Sequence, residues 1–233
     1  MIGVCILAYG DEWILECNGL LKQLSVFSEF KFYVTTDQPD SVLKVDNLVL
    51  IPTTEPFNYN LKRNGFRQSL LENDITIMLD TDIYIQNGFT PDLILELEDG
   101  VHVRYQKSIH GVKNLQHNIE YEYIKRIQST SGLKDLFYLD ESAMVFNISD
   151  IQKRKVILEW WDRLYNATLD VQPEYRNPGA VEGMMINVGL TMSGVDIHLK
   201  HNFSVLDYFH HYHYFLSAPN WKKEYKPIIK TII

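Results

Sequence analysis

Long basic runs are absent from this sequence of 233 residues: 22 Lys and Arg stand against 30 Asp and Glu, a net charge of −8. A surface that tracks a phosphate backbone needs clustered cations, so nucleic acid is not an expected partner. An anionic substrate has to be gripped by a few placed cations or by a metal, because the general field of the protein repels it. Cysteine is scarce as well. Cys5 and Cys17 fall in segments that read as a first strand and a first helix, which marks them as reduced core residues rather than a disulfide. The apolar run in MIGVCILAYGDEW is too short to cross a bilayer and has neither a basic flank nor a small-residue cleavage pattern. A cytoplasmic protein with no membrane span is expected, and in such a chain the sequons at Asn147, Asn166 and Asn202 carry no information. Internal repeats, low-complexity tracts and Gly/Ser linkers are also missing, so one domain over residues 1–233 is expected.

What is present is an ordinary globular composition, 45% hydrophobic and 22% charged. Ile2 to Ala8 reads as a buried strand, and Trp13, Cys17, Leu20, Leu21, Leu24 and Phe27 then recur at helical spacing. Lys31 to Thr35 and Leu48 to Ile51 read as further strands, closed by DQPD and by Pro52. A helix around Leu61 to Leu71 leads into a strand at Ile75. This alternation predicts a mainly parallel sheet with flanking helices, a fold class that binds ligands beyond the carboxyl ends of its strands. Further along, Val101 to Tyr105 and Ala143 to Phe146 read as strands. An amphipathic helix with Ile157, Leu158, Trp161, Leu164 and Tyr165 follows a Ser149 cap. Another helix is expected to start at Asn177 and Pro178 and to stop at Gly194. A short DIHL segment, Asp196 to Leu199, and an aromatic, histidine-rich FHHYHYF, Phe209 to Phe215, come after it.

The segment ITIMLDTDIYIQNG, Ile75 to Gly88, carries the strongest chemical signal. Its apolar strand runs into Asp80 and Asp82, two like charges in an expensive place unless something positive neutralises them. A D-x-D at a strand end offers two hard oxygen ligands on one edge, suited to Mg²⁺ or Mn²⁺ bound together with a substrate's phosphates. The same motif also serves as a turn or cap. Here Ile77, Leu79, Ile83 and Ile85 anchor the backbone on both sides, which favours a fixed site.

With Arg63 seventeen positions before Asp80 of LDTD, the chain resembles the GT-A glycosyltransferases. The likeness is to the retaining group containing glycogenin and the bacterial lipopolysaccharide galactosyltransferases, and to small viral glycosyltransferase domains. Further pieces follow in the family's order: SAMVFNIS (Ser142 to Ser149), EGMMIN (Glu182 to Asn187), HNF (His201 to Phe203) and HYFLSAPNW (His213 to Trp221). The resemblance implies a GT-A, Rossmann-like α/β domain that transfers a sugar from a nucleotide-diphosphate donor, a UDP-sugar, to an acceptor hydroxyl on a carbohydrate, with retention of configuration. It implies Mn²⁺ or Mg²⁺ on Asp80, Asp82 and His213, with His211 and then His210 as alternatives. It implies a donor site made by Ala8, Tyr9, Asp37, Arg63, Asp80 and Asp82, with Arg67 in reserve, and Asp140 and Glu182 as the groups nearest the sugar. The chain departs from the family at Asp140-Glu141-Ser142, where the family has Asn-Ala-Gly. It departs again at Gly183, which replaces a Gln, and at Pro219, which replaces a Lys that Lys222 or Lys223 could stand in for.

Two other readings compete. A metal-dependent phosphohydrolase or nucleotidyltransferase also holds a metal with aspartates. Tyr84 stands where a dehalogenase-type phosphatase motif needs Thr or Val, and LAYGDEW supplies one Gly where nucleotidyltransferases have a Gly-rich loop. A non-catalytic carbohydrate-binding relative is the other, since 14 Tyr, 11 Phe and 4 Trp provide stacking platforms.

Overall fold

The computed structural model describes residues 1–108, 121–170, 179–199 and 205–211. Its strands are β1 (Ile2–Ala8), β2 (Phe30–Thr36), β3 (Leu48–Pro52), β4 (Ile75–Leu79), β5 (Ile83–Ile85), β6 (Gly100–Val103), β7 (Gln106–Ser108), β8 (Phe137–Leu139), β9 (Ala143–Asn147), β10 (Ile197–Leu199) and β11 (Phe209–His211). Its helices are α1 (Asp11–Leu24), α2 (Lys62–Glu72), a single turn α3 (Asp92–Leu95), α4 (Tyr121–Ser131), α5 (Ile151–Thr168) and α6 (Gly179–Ser193).

Seven strands form the central sheet in the order β10-β6-β9-β4-β1-β2-β3. Every neighbouring pair is parallel except the two that involve β9, which runs antiparallel between β4 and β6. The expected α/β architecture, a mainly parallel central sheet with flanking helices, is the one observed.

The period of two in the strands explains how both faces are covered. In β1, Ile2, Val4, Ile6 and Ala8 join a core that α1 closes with Ile14, Cys17, Leu20, Leu21 and Leu24. Cys5 points to the opposite face, into a second core with Phe66 and Leu70 of α2 and Trp161 of α5. Because both faces are buried, these strands read as continuous apolar runs rather than as alternating ones. On the α2 face the chain keeps side chains small where the helix crosses the sheet. A Cβ on Gly65 would lie 3.2 Å from both the Tyr33 carbonyl and Thr35 Oγ1, and the Gly65 N–H donates to that hydroxyl at 3.1 Å.

Several boundaries differ from the sequence expectation for local reasons. The strand expected to reach Tyr105 ends at Val103, and the chain turns off to pair β7 with β8 in a separate ribbon, where the Tyr105 carbonyl accepts from the Asp140 N–H at 3.2 Å. Asp150, not Ser149, caps α5: its side chain accepts from the Gln152 N–H at 2.7 Å, while the Ser149 N–H goes to Asp99. The helix expected from Leu61 begins at Lys62, after a 3₁₀ turn over Tyr59–Leu61. Gly194 stops α6 as expected, with φ of 63°. The start expected at Asn177 and Pro178 lies outside the described residues. Among the described residues no helix is long and apolar enough to cross a membrane.

Candidate functional site

Topology assembles the site at one edge of the sheet. Strands β1, β2 and β4 end there, and because β9 is antiparallel its beginning lies at the same edge, with Leu79 of β4 opposite Ala143. The Asp80 N–H donates to the Ser142 carbonyl at 3.0 Å, which fixes the first aspartate of the motif beside the Asp140-Glu141-Ser142 segment. Asp82 is buried, 6% exposed, and Thr81 between the two aspartates is also buried.

The cation at Asp80 is Lys62, the first residue of α2, whose ammonium donates to Asp80 Oδ1. Its side chain is 3% exposed. Burial disfavours the ammonium, but Asp80 and Glu182 outweigh it, with Glu141 adding to them, and the amine is held above the usual lysine value. Glu182, in the first turn of α6, is pushed up to about 8, chiefly by burial, against the opposing charge of Lys62. Glu141 is raised well above the carboxylate range by burial and then by Glu182. Among the described residues, three buried carboxylate oxygens at this edge have no hydrogen-bond partner: Asp140 Oδ2, Glu141 Oε2 and Glu182 Oε1. Native interiors rarely leave acceptors of this kind unsatisfied unless a ligand or ion completes them.

Asp140 is held from two sides. Its Oδ1 accepts from the Ser142 hydroxyl at 2.7 Å and the Ser142 N–H at 3.2 Å, and Arg104 Nη1 lies 3.6 Å from Oδ2. The same guanidinium donates to the carbonyls of Leu206 and Phe209, so Arg104 ties this carboxylate to the segment that ends in β11.

Ala8, Tyr9 and Asp37 meet at the ends of β1 and β2. Ala8 pairs with Thr36, Asp37 Oδ1 accepts from the Gly10 N–H at 2.9 Å, and the Tyr9 hydroxyl donates to the Glu55 carbonyl at 3.2 Å. Tyr9, Trp13, Phe57 and Tyr59 pack as a chain of rings with centroids 4.8–5.6 Å apart, a half-exposed aromatic wall at the same edge.

Arg63, expected to reach the phosphates, is placed elsewhere. Its guanidinium stacks 3.7 Å over the Tyr165 ring with Nε 3.5 Å from Asp162 Oδ1, and Arg67 pairs with the same Asp162. The helical phase explains the exchange. Residues 62, 66 and 70 share the buried stripe of α2, whereas 63 and 67 share the face turned toward α5. That stripe, Lys62, Phe66, Leu70, is the signal in the sequence by which Lys62 could have been found. Glu16 of α1 is the other residue that sequence reasoning missed: its Oε2 accepts from the Thr81 hydroxyl at 2.8 Å.

The Gln expected by resemblance after the acidic residue is Gly183, and the packing shows why. A Cβ there would lie 2.4 Å from the Leu139 carbonyl and 3.0 Å from Glu141 Oε2, so α6 and β8 touch through this glycine. Of the expected histidine ligands, His210 accepts through Nε2 from the Gln86 amide, and His211 is placed through its backbone, opposite Ile83. His213, Pro219, Lys222, Lys223 and the segment 201–203 lie outside the described residues. Among the described residues no group of three or more His, Cys, Asp and Glu is arranged to hold a metal. Asp80 and Asp82, on one turn, are hard oxygen donors of the kind a divalent cation takes, and Lys62 is the cation that Asp80 now faces.

No protein-family model matches the chain. No curated protein matches it either. Among solved structures it is similar to a galactosyltransferase, LgtC, solved with donor and acceptor sugar analogues, at a TM-score of 0.46 and 13% identity over 79% of this chain and 70% of that one. So distant a likeness says nothing about activity, for which the residues at the sheet edge have to speak.

Proposed function

We propose that this chain is a metal-dependent glycosyltransferase of GT-A type. It moves a sugar from a nucleoside-diphosphate donor, a UDP-sugar, to an acceptor hydroxyl on a carbohydrate, with retention of anomeric configuration as the resemblance of its motifs implies. The observation that carries this reading is the Asp80-Thr81-Asp82 turn at the end of β4, with unsatisfied buried carboxylate oxygens of Asp140, Glu141 and Glu182 beside it.

Asp80 and Asp82 would hold Mn²⁺ or Mg²⁺, with His213 as third ligand. A metal held there would supply positive charge against the departing diphosphate, so no strong general acid would be needed. The aromatic wall from Tyr9 to Tyr59 gives a planar base a surface to lie against, and Asp37 stands beside it. Asp140, fixed by Ser142 and Arg104, would hold donor hydroxyls. Glu182, whose carboxyl burial pushes up to about 8, would hold donor hydroxyls or stabilise an oxocarbenium-like centre.

Calorimetric titration with UDP, and GDP as control, in Mn²⁺ and then EDTA, on wild type and Asp82→Ala, tests this reading. Binding that prefers UDP, needs the metal and is lost in the variant is expected. Nucleotide binding that survives EDTA and Asp82→Ala unchanged would overturn the assignment of the turn.

A further inference from the structure

We propose that Lys62 is a displaceable counterion: its ammonium occupies Asp80 until a divalent cation takes that carboxylate, and then moves to the Glu182 and Glu141 oxygens that have no partner. The proposal rests on the metal site at Asp80 and Asp82 and adds to it the residue that controls when the site fills.

Three observations support it. First, Lys62 is where a metal would have to be, since its ammonium already donates to Asp80 Oδ1 from a side chain that is 3% exposed. The Lys62 ammonium is ion-paired to Asp80, so it and a divalent ion repel each other at one carboxylate. Second, the acceptors it would move to are already there. Among the described residues Glu182 Oε1 and Glu141 Oε2 are buried with no hydrogen-bond partner. A carboxyl oxygen accepts from an ammonium in either protonation state, so the exchange needs no proton transfer: the Lys62–Asp80 ion pair breaks, the Asp80–metal bond forms, and the ammonium regains a partner. Third, the two groups are held differently. Asp80 is anchored through its backbone N–H to the Ser142 carbonyl, whereas Lys62 carries its charge on a flexible four-carbon stem with three rotatable donors.

The functional consequence is a coupling. Lys62 opposes the metal in the bare site, and an anionic diphosphate that attracts both cations relieves the opposition. Metal and nucleotide therefore strengthen each other's binding by the same factor. Without Lys62 the metal binds well alone and the coupling shrinks.

The test titrates Mn²⁺ alone, and then Mn²⁺ with saturating UDP, into wild type, Lys62→Met and Lys62→Gln, following free Mn²⁺ by electron paramagnetic resonance. Removing one nearby buried positive charge is expected to tighten Mn²⁺ alone by about tenfold or more and to reduce the gain from UDP. In wild type, the ¹⁵N resonance of the Lys62 ammonium is expected to shift on adding diamagnetic Mg²⁺, a readout that does not depend on either variant folding. Mn²⁺ affinity that is equal or weaker in both variants, or a Lys62 resonance unmoved at saturating Mg²⁺, overturns the counterion role and leaves the metal site standing. If wild type and variants bind no divalent ion with or without UDP, the metal reading itself fails and this proposal fails with it.

Discussion

The Thr81 hydroxyl donates to Glu16 Oε2 at 2.8 Å, joining the middle of the aspartate turn to helix α1. A second bond, from the Ile85 N–H to Gln23 Oε1 at 3.0 Å, fastens the following strand to the same helix. The turn that carries Asp80 and Asp82 is thus held from outside by α1 as well as by the sheet.

Glu16 gives this arrangement a pH dependence. Burial, reinforced by Asp82, Glu12 and Asp80 and opposed by the Thr81 bond, pushes its carboxyl from 4.5 up to about 7. Below about pH 4.5 the group is protonated in folded and unfolded chains alike. As pH rises from there toward 7 the unfolded chain ionises first, so this contribution to stability is lost across that window. Glu16→Gln removes the effect: urea midpoints in EDTA are expected to show the variant gaining on wild type between pH 4.5 and 7, and a parallel pair of profiles would refute it.

Trp161 fixes the segment that leads into Lys62. Its indole N–H donates to Asn60 Oδ1 at 3.0 Å, and the ring is 1% exposed. Trp161→Phe keeps most of the bulk but leaves a buried acceptor, a loss of about 1–3 kcal/mol. Trp161→Ala adds a cavity and costs about 3–5 kcal/mol. Chemical denaturation of the two variants measures both, and the order of the two losses is the critical result.

Gly183→Ala places a Cβ 2.4 Å from the Leu139 carbonyl. Backbone must shift, so a loss of about 1–3 kcal/mol is expected. The displaced first turn of α6 carries Glu182, so donor turnover is expected to fall further than the loss of stability alone would lower it. Thermal unfolding and turnover at a temperature where both proteins stay folded separate the two effects.

Cys5 and Cys17 are fully buried, and burial pushes both thiols up to about 12. The thiolate is the reactive form. Neither cysteine is expected to react with a chromogenic disulfide reagent in the native protein at pH 8, and both are expected to react at once in denaturant. Prompt labelling of the native chain would show that β1 and α1 open readily.

The strand pattern was legible because its cause is local. Apolar runs bounded by DQPD and Pro52 mark β2 and β3, and the alternation of strands with amphipathic stripes led to the α/β sheet. The aspartate turn was legible for the same reason, since apolar anchors lie on both sides of it. The exit of Arg104 and Tyr105 from the sheet was not, because it depends on β7 finding β8 about thirty residues later. Nor was the choice between neighbours on α2, which is a matter of helical phase against the sheet.

The sequence by itself determined that Asp80 and Asp82 emerge together from a buried strand, because the residues that bury the strand are its own. Only the tertiary structure decided what faces them. The antiparallel insertion of β9 places Asp140, Glu141 and Ser142 beside Asp80, the close approach of α2 at Gly65 turns Lys62 inward and leaves Arg63 to Tyr165 and Asp162, and α1 supplies Glu16. Those contacts join residues far apart in the chain, and their geometry depends on which faces pack, information that no local stretch contains.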